Sequence, residues 1–396
     1  MRSLHVELDE LREQHLLREL RTVEGPQGRE IRLNGRDVLN FSSNDYLGLA
    51  NSGELKAALV EGVERFGTGA GASQLISGHL HPHRELETAL AAFLEKESAL
   101  VFSSGFSAAS GLFSAIAQKG DVVILDKLCH ACLIDGARAS GAQVRVFPHN
   151  NLESLERRLV HGREKIGSEG RLIVVTEAIF SMDGDSPPLQ GVIACAKEYG
   201  AMLVIDEAHA FGVLGPQGRG LTAATDGGEE VDILLTTLGK SAGLGGGVIA
   251  ASREIIDLVV NRGRSFIFST AIPPAVASAG VTAVKIISGG QGDALRSTLS
   301  TYRHNLSRAL GVTEPGAAIL PVAIGREEEA VDASAQMLKN DRILVPAVRY
   351  PTVAKGAARL RVSLSAAHTS GDLGRLASAL GVLFRENEAA GLAAAE

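Results

Sequence analysis

The chain has 396 residues, enough for two packed domains, and 45% of them are hydrophobic, enough to fill buried cores. A formal net charge of −7, without a block of lysines and arginines, excludes a protein whose main partner is a nucleic-acid backbone. Three cysteines are too few for a disulfide framework, and no apolar run reaches the roughly 18 residues of a membrane span. Since the N-terminus lacks the pattern of a secretory signal, a reduced cytoplasmic protein is expected.

The first half of the chain predicts an α/β arrangement. A charged amphipathic pattern predicts a helix over 8–20, and two short strands follow at 29–33 and 37–41. From about residue 50 to 270, helix-length periods alternate with apolar runs typical of buried parallel strands. Those runs are 99–102, 122–125, 172–176, 203–205 and 233–236.

The second half predicts a tight turn, a long helix and a smaller α+β region. The glycine-rich tract 243–247 leads into a strand at 248–250, and a long helix follows Ile272-Pro273-Pro274. The later elements are strands at 319–324, 342–348 and 359–365 and helices at 327–339 and 370–387. We therefore predict an α/β fold with a mostly parallel central sheet. Its predicted divisions are 1–50 with a helix and short strands, a large domain 51–275, and a linking helix with a small α+β C-terminal domain 276–396.

Polar segments follow several predicted strands, where the active sites of open α/β sheets gather. Ser104, Gly105 and Phe106 open a helix whose N–H groups could bind a phosphate, although many ordinary strand-to-helix turns look alike. Asp206 ends an apolar strand and could pair with a cationic ring nitrogen. A helix-capping or metal-binding aspartate is the alternative there.

Two further residues stand at such positions. Lys240 follows a buried strand among small residues, where partial desolvation would favour the neutral amine that forms a Schiff base. An ordinary surface lysine is the alternative. His130 could stack on a planar cofactor, or it could cap a helix or lie in the core.

Some patterns point to a nucleotide-driven motor instead. Gly239-Lys240-Ser241 resembles the end of a P-loop, and residues 206–209 spell the helicase box DEAH. A P-loop needs glycine where this chain has Leu234, and its order relative to the acidic box is reversed. The glycines at 67–71 do not complete a dinucleotide fingerprint, because no apolar strand precedes them.

Other patterns point to a zinc or redox module. Cys129 and Cys132 have the spacing of such sites, but a second pair that would complete a structural zinc site is lacking. His79, His81 and His83 alternate like metal ligands on a strand, but Pro82 interrupts them. A motor or a zinc/redox module stays open as the alternative class.

Taken in order, the motifs resemble the α-oxoamine synthase family of fold-type I pyridoxal-phosphate (PLP) enzymes over nearly the whole chain. They are residues 40–49, 67–78, 80–87, 176–185, the segment around Lys240, and 268–274. The resemblance implies a fold-type I PLP-dependent transferase that joins an amino acid to an acyl thioester with loss of CO2. It also implies a homodimer with shared active sites. Within the family, 345–353 and 359–368 are typical of members that use L-alanine with pimeloyl-CoA or a pimeloyl-carrier protein, whereas members that use glycine share the core motifs.

The resemblance also assigns roles to residues. Lys240 binds PLP covalently and moves the α-proton, Asp206 pairs with the pyridine nitrogen, and His130 stacks on the ring. The other cofactor residues are Ser104, Gly105, Phe106, Glu177, Ser181, His209, Thr237 and, reaching the phosphate of the other subunit, Ser269 and Thr270. The substrate residues are Arg361 for the amino-acid carboxylate, Asn44, Thr352, and Arg18 for the acyl substrate. No metal is expected.

Several positions depart from the family pattern. Gln74 stands where relatives often have arginine, and Cys132 replaces a frequent serine. Phe268 and Tyr350 occupy variable positions that could shape an acyl pocket. None of them removes a cofactor ligand, so they bear on substrate choice more than on reaction type.

Overall fold

The computed structural model describes residues 3–166 and 170–393, with side chains through residue 383. Its helices are α1 (Leu4–Glu13), α2 (Gly53–Phe66), α3 (His81–Phe93), α4 (Gly105–Ile116), α5 (Ala131–Ala139), α6 (Leu152–Lys165), α7 (Leu189–Glu198), α8 (Arg253–Arg262), α9 (Arg264–Ile267), α10 (Pro274–Ser288), α11 (Gly290–Leu310), α12 (Glu327–Gln336) and α13 (Ser370–Ala393). Its strands are β1 (Glu30–Leu33), β2 (Arg36–Asn40), β3 (Ser98–Phe102), β4 (Val122–Asp126), β5 (Gln143–Phe147), β6 (Leu172–Glu177), β7 (Met202–Asp206), β8 (Ile233–Thr237), β9 (Gly247–Ala251), β10 (Ile319–Gly325), β11 (Ile343–Leu344), β12 (Ala347–Val348) and β13 (Ala358–Ser363).

Contacts within the chain define two compact units. The central unit consists of Leu49–Ser181 and Asp185–Arg296. The terminal unit consists of Met1–Gly48, Met182–Gly184 and Ser297–Glu396. The division predicted at residues 50 and 275 stays a prediction. Along the described residues, none of the helices combines the length and the apolar character that crossing a membrane requires.

The central unit is built on a seven-stranded sheet with the order β3-β9-β8-β7-β6-β4-β5. The strands from β4 to β8 pair in parallel, and β9 pairs antiparallel with both β8 and β3. All five predicted apolar runs are strands, but the parallel pairing expected for 99–102 is wrong. The reason is β9, which returns after a tight turn and inserts between β8 and β3. Two antiparallel pairings restore the direction, so β3 still ends at the same edge of the sheet as β8.

The sheet forms because its strands can be buried on both faces. Every residue of β4 is buried, and its sequence of valine, isoleucine and leucine suits a covered parallel strand. The helices α4, α6, α7 and α8 pack against the strands. The strand β5, at the sheet edge, was not predicted, because its burial is only partial and its sequence is not a continuous apolar run.

The edge strand β3 is closed by side chains on its outer side. Gln74, buried in a π-helical turn, donates its Nε2 to the carbonyl of Val101 at 2.7 Å and lies 2.7 Å through Oε1 from Nδ1 of His79. The backbone N–H of Val101 donates to Oε1 of Glu87 at 3.1 Å, and burial raises the pKa of Glu87 to about 8. Gln74, the first departure from the family pattern, therefore stabilises the sheet edge.

The terminal unit contains two small sheets. In the first, β1 and β2 form an antiparallel hairpin and β2 pairs in parallel with β11. In the second, β13 lies between β10 and β12 and is antiparallel to both. The single strand predicted at 342–348 is two short strands, because Pro346 between them has no N–H to donate to a ladder.

Two helices of this unit differ from prediction. The helix expected over 8–20 starts at Leu4 and ends at Glu13. The cause is a left-handed backbone at His15, whose φ of 55° cannot continue a right-handed helix. The helix expected over 327–339 is α12, which passes at Met337 into a π-helical turn.

Candidate active site

A cavity of about 190 Å³ lies in the central unit at the carboxyl ends of the parallel strands. It is lined by Gly105, Phe106, His130, Cys132, Glu177, Asp206, Ala208, His209, Leu235, Thr236, Thr237 and Lys240. Eight of the predicted cofactor residues therefore meet in one place. The topology explains the meeting, because β4, β6, β7 and β8 end at the same edge of the sheet and β3 ends there too.

The turn between β8 and β9 directs a primary amine into this cavity. The Thr237 hydroxyl donates to the carbonyl of Gly246 at 2.6 Å and accepts the N–H of Gly239 at 3.0 Å, which fixes the start of the turn. Lys240 follows, and its Nζ lies 2.7 Å from Nε2 of the buried His209. The amine is therefore held by a side chain from the neighbouring strand end.

Two buried acids stand at the strand ends behind the amine. Asp206 and Glu177 are Cα partners on β7 and β6, and both side chains are buried. One oxygen of Asp206 accepts the N–H of Ala208 at 2.9 Å, and Glu177 accepts the backbone N–H of His130. Burial raises the pKa of Asp206, and the positive charge of Lys240 opposes that rise. Burial and the nearby charge of Asp206 hold the pKa of Glu177 well above its usual range. Because the two carboxylates repel each other, a cation placed beside Asp206 would stabilise the site.

The start of α4 offers an anion-binding turn at the other side of the cavity. Ser104 caps the helix: its hydroxyl accepts the N–H of Ser107 at 3.1 Å. The N–H groups of Gly105 and Phe106 belong to the first turn, which has no intrahelical acceptors, and both residues line the cavity. Gly247 permits the close passage of β9 here, since a Cβ would lie 2.1 Å from the Ser104 carbonyl oxygen.

His130 caps a helix, one of the alternatives that the sequence left open, and its predicted stacking on a cofactor stays a prediction. Its Nδ1 accepts the N–H of Cys132 at 3.2 Å and so caps α5, while the exposed ring lines the cavity. The Cys132 sulfur lies 3.0 Å from the same nitrogen. Burial raises the pKa of the Cys132 thiol, and Cys129 and Cys132 are free thiols. A neutral thiol is a poor nucleophile and a poor metal ligand.

The three alternating histidines are engaged in local contacts. Buried His83 lies 2.8 Å from the carbonyl oxygen of Ile272, and exposed His81 lies 3.2 Å from Glu85. His79 contacts Gln74 at the sheet edge. Within the described residues, no group of three histidines, cysteines or acids is arranged to hold a metal ion.

Four of the predicted cofactor residues do not line the cavity. Ser104 acts as the helix cap, and Ser181 is buried just after β6. Thr270 forms a β-bridge with Ser73, and the Ser269 hydroxyl donates to the Thr270 carbonyl at 3.3 Å. A role of Ser269 and Thr270 in another subunit stays a prediction.

A second group of predicted residues meets inside the terminal unit. The buried guanidinium of Arg361 donates to Oδ1 of Asn44 at 3.1 Å, to the Ser363 hydroxyl at 2.7 Å and to the Tyr46 hydroxyl at 3.4 Å. The three acceptors are neutral oxygens. Ser363 and Tyr46 were not predicted, although the period of two along β13 places Ser363 on the same face as Arg361.

The remaining substrate residues lie at the surface of this unit. Exposed Arg18 donates to the Tyr350 carbonyl at 3.3 Å. Thr352 is also exposed, and its backbone N–H donates to the carbonyl of Arg349 at 3.0 Å. Their predicted contacts with substrate stay predictions.

Comparisons with known proteins agree with this architecture. The profile of the family "Aminotransferase class I and II" matches residues 36–380. An 8-amino-7-oxononanoate synthase of Geobacter sulfurreducens is 43% identical over 391 residues, which cover 97% of this chain and 98% of the relative. A serine palmitoyltransferase from S. paucimobilis, solved with a bound PLP–myriocin aldimine, superposes with a TM-score of 0.89 at 30% identity over 97% of both chains.

A second solved structure is that of an 8-amino-7-oxononanoate synthase from Francisella tularensis. It superposes with a TM-score of 0.73 at 27% identity and covers 89% of this chain and 98% of its own. The predicted fold-type I transferase fold and the predicted family are thereby confirmed. The chain belongs to the aminotransferase class I and II family and, within it, to the α-oxoamine synthases.

Proposed function

We propose that this chain is a PLP-dependent 8-amino-7-oxononanoate synthase, which condenses L-alanine with a pimeloyl thioester in biotin biosynthesis. The observation that supports it most is the Lys240 amine, 2.7 Å from His209 in a cavity that also contains buried Asp206. Relatives that are 43% identical over almost their full length have that name. The proposed place of action is the cytoplasm, where the three free cysteines would stay reduced.

The cavity has the donor set that PLP requires. A primary amine can bind the aldehyde carbon, a buried carboxylate can pair with the ring nitrogen, and a helix start can bind the phosphate. Lys240, Asp206 and the Gly105–Phe106 turn provide these groups in one cavity. Asp206 also gains from such a ligand, since a protonated ring nitrogen would offset the burial that raises the pKa of this carboxyl.

When bound, PLP supplies an electron sink for negative charge at the α-carbon of the amino acid. A negatively charged Asp206 at the strand end would favour a protonated ring nitrogen. His130 presents its exposed ring face as a cover, held in place by its hydrogen bond to the Cys132 N–H. Lys240 provides the base: its Nζ takes the α-proton, and His209 orients the amine.

Arg361 is the proposed anchor of the alanine carboxylate. Its guanidinium is buried and fixed by Asn44, Ser363 and Tyr46, so little side-chain freedom is lost on binding. A guanidinium can meet a carboxylate with two parallel hydrogen bonds, which sets the direction of the α-carbon. Arg18 is the proposed contact for the acyl substrate.

Product formation from four substrate pairs tests the proposed function. Purified enzyme would be assayed with L-alanine or glycine, each with pimeloyl-CoA or acetyl-CoA. We expect the alanine–pimeloyl pair to have the highest kcat/KM by roughly 10-fold or more, because the acyl pocket discriminates between chain lengths through several methylenes. A preference for glycine with acetyl-CoA would instead identify a glycine C-acetyltransferase, the second candidate.

We also propose that the enzyme is a homodimer whose subunits share their active sites. Large apolar side chains are exposed on the central unit at Leu75, Ile76 and Phe268, the last two 80% and 73% accessible. The Ser73–Thr270 bridge joins the two segments that contain them into one patch, as expected of an interface. Light scattering should give twice the chain mass, and a monomer at micromolar concentration would contradict the proposal.

A further inference from the structure

The turn between β4 and α5 presents His130 to the cavity and is fixed by its backbone N–H groups. Those of Leu128 and Cys129 donate to Asp126 at the end of β4. The N–H of His130 donates to Oε1 of Glu177, at the end of the neighbouring strand β6. The histidine is therefore tied through its backbone to a second strand end, in addition to the cap that its ring forms.

Glu177 takes a place that is empty in helix α5 itself. In a capping box, the side chain of the third helical residue accepts the N–H of the N-cap residue. The N-cap of α5 is His130, and the third residue is Leu133, which has no side-chain acceptor. Glu177 supplies the acceptor from a strand whose own position is set by its pairing with β4 and β7. Without it, the N–H would lose its partner beside the cavity.

The Glu177 carboxyl group lies between two other acids. It is 2% exposed, and its Cα partner on β7 is Asp206. Asp126, at the end of β4 on the other side, is buried as well. Three carboxylates at the ends of adjacent strands repel each other strongly, because little water is present to screen them.

The three acids differ in what offsets their charge. Although burial lowers it, hydrogen bonds to two carboxylates raise the pKa of His149 to about 10, so Asp126 faces a cation. Asp206 faces the positive charge of Lys240. Burial and the charge of Asp206 raise the pKa of Glu177 well above its usual range, although Lys240 opposes that rise. Among the three, Glu177 is therefore the acid on which a proton is best placed.

We propose that Glu177 is a positioning residue that works as a neutral carboxylic acid: it accepts the His130 N–H and leaves the negative charge of the cavity to Asp206. A neutral carboxyl group retains an oxygen that accepts this hydrogen bond, so positioning does not need the charge. The inference rests on the proposed function, since His130 is the proposed cover of the cofactor.

Two neutral replacements of similar length separate the acceptor from the charge. Glu177→Gln keeps a carbonyl oxygen in place of Oε1, and Glu177→Met removes it. The matched control is the same pair of changes at Glu87, another largely buried acid, which accepts the N–H of Val101 away from the cavity. The probe is PLP, titrated into the apoenzyme of each variant from weakly acidic to weakly alkaline pH.

We expect Glu177→Gln to bind PLP within about 3-fold of wild type and Glu177→Met to lose about 10-fold or more, because only the latter loses the hydrogen bond. The pH dependence of the affinity should be the same in Glu177→Gln as in wild type. Both Glu87 variants should bind PLP like wild type, whatever their thermal stability.

Two results would overturn the proposal. A loss in Glu177→Gln as large as in Glu177→Met, or a changed pH dependence, would show that Glu177 acts through a negative charge. Wild-type affinity in both variants would show that it positions nothing.

A double-mutant cycle tests whether Glu177 acts through His130. In a His130→Ala background, Glu177→Met should cost about 2-fold further affinity at most, since the ring that it positions is already missing. An undiminished loss in that background would assign Glu177 a direct contact with the cofactor and contradict the proposal.

Should Glu177→Met not fold, infrared difference spectra of the holoenzyme replace it. Wild type minus Glu177→Gln should contain the carbonyl band of a protonated carboxyl group at neutral pH, and carboxylate bands in its place would contradict the neutral acid. The two proposals can also fail separately. Normal PLP binding without product from any of the four substrate pairs would refute the proposed reaction, and the cycle would still decide the role of Glu177.

Discussion

Replacement of Lys240 by alanine should reduce turnover of L-alanine and pimeloyl thioester by at least about 10³-fold, because it removes both the covalent attachment point and the proposed base. The variant should still fold, since Lys240 is half-buried and the turn is fixed by Thr237 rather than by the amine. Its second signature is chemical. Wild type incubated with PLP loses water as the imine forms, and after reduction with borohydride it should have a stable secondary-amine adduct of PLP on Lys240, which the variant should lack.

The controls separate the amine from the positive charge. Lys240→Arg keeps a cation but cannot form the bond to the cofactor, so it should be as inactive as the alanine variant. Lys127→Ala changes an exposed lysine that also follows a parallel strand, and it should leave activity and labelling unchanged. Normal turnover in Lys240→Ala would defeat the assignment.

Replacement of Arg361 by alanine should raise the KM for L-alanine by roughly 30-fold or more, the loss expected for a charge-assisted pair of hydrogen bonds. The kcat, which describes turnover at saturating alanine, should fall less than the KM rises. The physical reason is that the buried guanidinium is held ready by Asn44, Ser363 and Tyr46. Initial rates over a range of alanine concentrations measure both constants.

The same strand offers the matched control for this prediction. Arg359 lies two residues away and forms an ion pair with Asp183. Arg359→Ala should therefore leave the alanine KM unchanged, while Arg361→Lys should restore part of the affinity through its charge. An unchanged alanine KM in Arg361→Ala would count against the proposed anchor.

Much of the central unit could be predicted from the sequence because its signals are local. Continuous runs such as 122–125 and 172–176 are buried on both faces, and their apolar pattern reveals it without knowledge of partners. The polar residues that follow such runs then converge, since parallel strands end together. Asp206 and Lys240 were found in this way, and the family motifs added Glu177 and His209.

The remainder depends on contacts between distant residues. The antiparallel pairing of β3 is set by β9, almost 150 positions further along the chain, and no pattern within 99–102 records it. The end of α1 is instead a local effect, set by the backbone of a single residue, His15. The cations that line one groove of the terminal unit, among them Arg18, Arg36 and Lys339, come from three separate stretches of chain, so they do not form a block in the sequence.

The closed outer side of β3 limits how copies of this protein can associate. At Val101, both the N–H and the carbonyl are occupied by side chains of the same chain, Glu87 and Gln74. A strand from another polypeptide would find neither donor nor acceptor there, so the sheet cannot be continued across that position into a larger β-structure. At this edge, association has to proceed through side-chain surfaces, and the fold thereby protects β3 from the template-like pairing that leads to aggregation.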